Sequence, residues 1–234
     1  MDTHLRSWSV IILTENNFHK RFSQDPKPEN LSNYLNRHFP GGTYYSAYEA
    51  SFCGFTIHRR LNKLGINNIV VNPADVPTTD KEKKQKEDGR DSRKLAMTLR
   101  SGELRSIYVP SLEMEELRSL VRYRKTLVKD IARGKNRIKS NLYFHGKAIP
   151  SEHQKAAKYW SNNFTQWLQS VTYNTEYGTM VLQDLIDTNL LLRKKLLKVT
   201  RDIRAAAKNS KYCALHGLLA SIPGIATNTA MVII

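Results

Sequence analysis

Cysteine is nearly absent from this chain of 234 residues: there are two, Cys53 and Cys213. They lie far apart with no CxxC spacing, which argues against a zinc site and a disulfide framework and fits a reducing, cytoplasmic setting. Long apolar runs are missing too. Val10-Ile11-Ile12-Leu13 falls far short of the roughly 20 residues a membrane-spanning helix needs. No signal-peptide pattern and no basic amphipathic anchor is apparent. Acidic residues are scarce, 21 against 37 Lys and Arg, for a net charge of +16. Such an excess is the electrostatic footprint of a nucleic-acid binder.

The first 110 residues alternate as an α/β domain does. Residues 7–13 and the run from Phe18 to Phe22 read as two strands around the Glu15-Asn16-Asn17 turn. Leu31, Tyr34, Leu35 and Phe39 have helical spacing, and Pro40-Gly41-Gly42 stops that helix. Residues 43–48 form a strand pattern leading into Glu49, residues 53–64 a helix closed by Gly65, and residues 66–71 another strand. Arg105 to Val109 is one more strand candidate, ended by Pro110. Between them lies a charged loop carrying Lys81, Lys83, Lys84 and Lys86, which reads either as a solvated linker or as a phosphate-contacting segment.

The character then changes. From 112 to 145 apolar residues recur with helical period, and nine cations between Arg118 and Lys139, among them Arg122, Lys125, Lys129, Arg133 and Arg137, face only Asp130. The pattern predicts a long amphipathic helix with a basic outer face suited to nucleic acid. A second long helix is predicted over 176–208; neither helix has a core of its own, so each needs a partner helix or subunit. Near the end, Ile222-Pro223-Gly224-Ile225 reads as a hairpin between two helices. Such a turn presents helix-start N–H groups to a phosphate, with Pro223 and Gly224 at its tip. A plain helix-helix turn is the other reading.

The chemistry-bearing candidates are acids. Asp88 and Asp91 open a predicted helix three residues apart, so both lie on one helix face. The helix dipole alone favours acids there. Asp2 precedes the first strand pattern and Glu49 ends a later one. A ribonuclease-H-like fold would gather these four positions. Four carboxylates in one pocket repel unless cations sit between them, and two Mg²⁺ ions about 3.5–4 Å apart would make a phosphodiester-exchange site.

The stretch Glu87-Asp88-Gly89-Arg90-Asp91-Ser92-Arg93-Lys94-Leu95-Ala96, with Tyr48-Glu49-Ala50-Ser51-Phe52-Cys53-Gly54, Met1-Asp2-Thr3-His4 and the Ile222-Pro223-Gly224-Ile225 hairpin, resembles the DEDD-type insertion-sequence transposases related to the Piv DNA invertases. The motifs stand in that family's order. The resemblance implies a RuvC-like catalytic domain over residues 1–111, a long basic helical region over 112–208 and the start of a helix-hairpin-helix C-terminal domain over 209–234. It implies Asp2, Glu49, Asp88 and Asp91 as the catalytic Mg²⁺ ligands. The implied partners are DNA and an element-encoded bridge RNA, in a dimer or tetramer. The family's first strand carries apolar residues before its Asp, and its nucleophilic serine comes from a C-terminal segment; Ser221 does not match that position. The expectation is a copy truncated at both ends. The rival readings are a nucleic-acid-binding remnant without chemistry and a RuvC-like junction nuclease.

Overall fold

The structure, a computed structural model, describes residues 1–76, 88–154 and 160–234, with the main chain alone described at 88–91. It divides into two units, Met1–Pro110 and Ser111–Ile234.

In the first unit, β1 (Asp2–Thr3), β2 (Trp8–Leu13) and β3 (Phe18–Gln24) form an antiparallel ladder. Asp2 stands opposite Ser9 and Thr3 opposite Trp8; β2 meets β3 from Trp8 opposite Gln24 to Ile12 opposite Lys20, with a bulge before Leu13. α1 (Pro28–His38) follows. β4 (Tyr44–Glu49) and β5 (Ile66–Val71) then run parallel, Tyr44 opposite Ile66 and Glu49 opposite Val71, joined through α2 (Thr56–Lys63). β1 lies beside β4, and the Met1 amino nitrogen donates to the Ala47 carbonyl at 2.9 Å. The strands therefore follow the spatial order β3-β2-β1-β4-β5.

The ladders make two neighbouring sheets, β1-β2-β3 and β4-β5, and both faces of the pair are covered. Val10 and Ile12 pack with Leu31 and Leu35 of α1 and Leu61 of α2, while Ala47 and Val71 pack with Leu95 of α3 (Asp88–Arg100). That two-sided burial explains why β2 reads as a continuous apolar run and not as an alternating one. The strand expected at 105–109 is not there. Residue 106 makes one isolated bridge to Val71, and Ile107 N–H donates to the Val70 carbonyl at 2.8 Å. Pro110 follows with no N–H to offer, and this short stretch does not extend the ladder.

The second unit is helical. α4 (Leu112–Phe144) starts at Ser111, whose hydroxyl accepts from Met114 N–H, with Glu113 and Glu115 in the first turn, where the dipole favours acids. It pairs with α6 (Glu176–Ala207). One core joins Val121 and Leu127 to Val199 and Ile203; another joins Ile138 and Leu142 to Leu182 and Ile186. Each long helix thus supplies the other's apolar partner. A short helix, α5 (Asn162–Ser170), between the two long ones in the chain, seats Phe164 and Leu168 on the second core. α7 (Ser210–Ala220) and α8 (Thr227–Ile233) flank the turn holding Pro223 and Gly224, and Gly224 takes φ +88°, a conformation that favours glycine. Among the described residues no helix is long and apolar enough to cross a membrane.

Candidate active site

Asp2 sits on β1, between β2 and β4. Its Oδ2 lies 3.1 Å from His4 Nε2, and its side chain is partly exposed. Glu49 is the last residue of β4, two positions beyond Ala47, whose carbonyl receives the Met1 nitrogen. Both carboxylates act on that same amino group. Burial pushes the Met1 amine down to about 6, and the charges of Asp2 and Glu49 pull it the other way. The two acids thus stand on neighbouring strands, near the same amino group.

Asp88 and Asp91 occupy the first turn of α3; their carboxylates fall outside the described residues. The placement of that turn is fixed by its next residue. Ser92 is fully buried, and its hydroxyl donates to the Ser9 carbonyl at 3.2 Å. Ser9 is the ladder partner of Asp2. Hence the start of α3 is tied to the sheet at the rung that carries Asp2. Ser92, Leu95 and Leu99 continue one helical stripe, and Asp88 and Asp91 stand one turn before Ser92 and Leu95 on it.

Ser92 and His4 were not among the sequence-derived site residues. Ser92 could have been found from its place in the Leu95–Leu99 stripe, where a hydroxyl facing the core needs an acceptor. Among the described residues no group of three or more His, Cys, Asp or Glu side chains could hold a metal ion. That statement takes in Asp2 and Glu49 but not the carboxylates of Asp88 and Asp91. The donors at hand, carboxylate oxygens at adjoining strands, suit a hard divalent cation.

In the helical unit, Arg122, Lys125, Lys129, Arg133 and Arg137 are all exposed on α4. Arg124 turns inward to donate to Thr200 Oγ1 at 3.1 Å, and Lys135 lies over the Trp160 ring at 5.2 Å. Burial, then the nearby Arg193 and Lys139 charges, lowers the Lys135 amine from its ordinary range. Arg133 pairs with Asp130 at 3.1 Å. Lys81, Lys83, Lys84 and Lys86 lie outside the described residues.

A family model described as a transposase, of the DEDD type named for IS110, matches residues 18–145, more than half of the chain. The chain belongs to this family of insertion-sequence transposases. The match includes Glu49, Asp88 and Asp91 and begins after Asp2. Among individual relatives, the transposase for insertion sequence element IS1533 of Leptospira borgpetersenii is 26% identical over 236 aligned residues, covering 99% of this chain and 66% of that protein. Two proteins of Sinorhizobium fredii named as transposases are also similar. y4qE is 29% identical over 62% of this chain and 35% of its own length; y4rJ is 38% identical over 42% of this chain and 26% of its own length. The chain therefore spans less than two thirds of each of these relatives.

Proposed function

We propose that this chain carries the DNA-cleaving and strand-transfer chemistry of an insertion-sequence transposase, on a ribonuclease-H/RuvC-like domain, with Asp2, Glu49, Asp88 and Asp91 as ligands for Mg²⁺. The observation that carries this reading is the tie between Ser92 and the Ser9 carbonyl. It sets the start of α3 at the strand rung of Asp2, next to the strand that ends in Glu49, within the order β3-β2-β1-β4-β5. Mg²⁺ bound there would stabilise the attacking and leaving oxygens of a phosphodiester exchange. Asp2 and Glu49 supply oxygen donors from the sheet, and Ser92 holds the helix that supplies the other pair. The basic face of α4, the Lys81-to-Lys86 segment and the Pro223–Gly224 turn are assigned to nucleic acid: DNA, and a guide RNA encoded by the element. A homo-oligomer is the assembly that goes with this reading.

The test is nicking of supercoiled and branched DNA by the purified chain with Mg²⁺ and with EDTA. Metal-dependent nicking that falls at least about 100-fold in Asp2→Asn and in Glu49→Gln, with circular dichroism unchanged, supports the site. Nicking that survives both substitutions refutes it. Salt-sensitive DNA binding with no metal-dependent cleavage favours the non-catalytic rival.

A further inference from the structure

β3 carries one residue more than the stretch of β2 it pairs with. Ile12 stands opposite Lys20 and Leu13 opposite Phe18, so His19 is the extra residue of the bulge. A bulge breaks the ladder locally and re-aims a side chain. Here it turns His19 toward α1. The His19 Nε2 lies 3.0 Å from the Tyr34 hydroxyl, and its ring meets Phe39 edge-on at 4.8 Å and His38 at 6.1 Å. Tyr34 and His38 stand four apart on α1, on one helix face. Their rings stack at 4.0 Å with 16° between the planes, and Phe22 of β3 stacks on Tyr34 at 4.7 Å. Two rings cannot share one face of Tyr34 at such distances, so the stack runs Phe22, Tyr34, His38.

Core packing explains only the inner part of this stack. Phe22, Tyr34 and Phe39 are half-buried against the core of Val10, Leu31 and Leu35. His38, at the outer end, is exposed, and so is His19 beside it. The last turn of a helix favours a histidine, and the His38 Nδ1–H donates to the Tyr34 carbonyl at 2.9 Å. That accounts for His38 but not for His19, which reaches the patch through the bulge. The same hydrogen bond fixes the plane of the His38 ring. The rim is basic. Lys20 follows His19 and shares the strand face of Phe22, Arg37 precedes His38, and both are exposed.

We propose that this patch is a stacking platform for an unpaired base of a single-stranded nucleic acid. The base lies on His38 as the fourth ring of the stack, and the neighbouring phosphates lie beside Lys20 and Arg37. Every base has a π-face, so such a platform takes any sequence. A paired base inside a duplex has both faces covered by its neighbours and does not fit. Aromatic patches also dock proline-rich peptides, but cations beside the rings and a net charge of +16 favour a polyanion. Single-stranded RNA and a melted DNA strand offer the same base and phosphate groups. The proposal rests on the nucleic-acid reading of the chain and not on its metal ligands.

The test uses the full chain in EDTA with oligouridine and oligothymidine strands of about ten nucleotides, each carrying one 2-aminopurine, and an abasic strand of the same length. The native chain should quench the 2-aminopurine fluorescence and bind base-bearing strands at least about fivefold more tightly than the abasic one. His38→Ala should lose the quenching and that margin, with abasic binding unchanged. His38→Phe keeps a ring without charge or donor and should restore both. The larger margin, for uridine or for thymidine, identifies RNA or DNA as the source. Equal losses in His38→Ala and His38→Phe overturn the proposal, and so does quenching that survives His38→Ala. Equal binding of abasic and base-bearing strands overturns the stacking site alone; binding of neither overturns the nucleic-acid reading with it. Binding of a deca-proline peptide that is lost in His38→Ala, without quenching by any strand, overturns the base and gives the patch to a peptide.

Discussion

The side-chain amide of Asn189 on α6 closes over Gly134 on α4. Asn189 is buried, its Nδ2 donates to the Ile131 carbonyl at 3.0 Å, and a Cβ at position 134 would fall 2.3 Å from that nitrogen. Gly134 is thus the point where α4 lets the neighbouring helix approach, and Asn189 places one polar group among the apolar contacts of the pair. A buried polar contact of this kind fixes register between helices better than an apolar one, because a shifted register leaves the amide without a partner.

Gly134→Ala should therefore destabilise the helical unit although it removes a glycine from a helix interior. Helix propensity gains about 1 kcal/mol. Displacing the Asn189 amide into an unpaired state costs about 1–3 kcal/mol, and steric strain adds to that. In an Asn189→Ala background the obstacle is gone, and the same Gly134→Ala change should turn neutral or stabilising by up to about 1 kcal/mol. Denaturant unfolding of the four chains measures both. Equal destabilisation by Gly134→Ala in the two backgrounds would show that the contact does not set the helix spacing.

The long helices were legible because their apolar period is local: 112–145 and 176–208 were expected and Leu112–Phe144 and Glu176–Ala207 are observed. Their closest contact was not, since nothing in the neighbourhood of Asn189 announces that it faces a glycine 55 residues earlier. In the candidate site, Asp2 and Glu49 could be picked out as strand-end acids. That β1 lies between β2 and β4 is a tertiary fact with no local signal, and so is the Ser92–Ser9 tie. The expected strand at 105–109 failed for the converse reason: a β-prone stretch needs an edge to pair along, and it makes one bridge to β5.

Ser92→Ala removes the hydroxyl that holds the first turn of α3 to β2. The loss of one buried hydrogen bond should lower stability by about 1 kcal/mol. If α3 carries half of the metal ligands, Mg²⁺-dependent nicking should fall by at least about tenfold, and added Mg²⁺ should restore part of it. Nicking that tracks the small stability loss alone would reduce Ser92 to a packing residue.

The starts of α4 and α7 are clasped by Glu113, which accepts from Lys211 Nζ and, at 3.0 Å, from the Tyr212 hydroxyl. The Lys211 hydrogen bond, then that of Tyr212, lowers the Glu113 carboxyl from its ordinary 4.5. A carboxylate with a depressed folded value stabilises the fold above its unfolded value, and that stabilisation disappears as pH falls through the folded one. The stability difference between the native chain and Glu113→Gln should therefore be constant near neutrality and shrink below about pH 4.5, toward nothing once the folded carboxyl is protonated. The effect is small because the pair is solvent-exposed. A difference that grows on acidification contradicts the assigned direction.

Arg122, Lys125, Lys129, Arg133 and Arg137 recur at intervals of three or four and are exposed, so they form one stripe roughly 22 Å long on α4. If that stripe lies along a nucleic-acid backbone, each cation in contact releases a counterion. The slope of log K against log salt should then flatten by about 0.9 for every contacting residue replaced by Ala on duplex DNA, and by about 0.7 on a single strand. Arg133 should contribute least, because Asp130 already pairs with it. The comparison of duplex DNA with single-stranded RNA on the same variants also separates the two proposed ligands. A stripe that binds one of them loses affinity for that one, uniformly across sequences, since phosphate contacts carry no base readout. Unchanged slopes on both after all five replacements would move the nucleic-acid contact elsewhere on the chain.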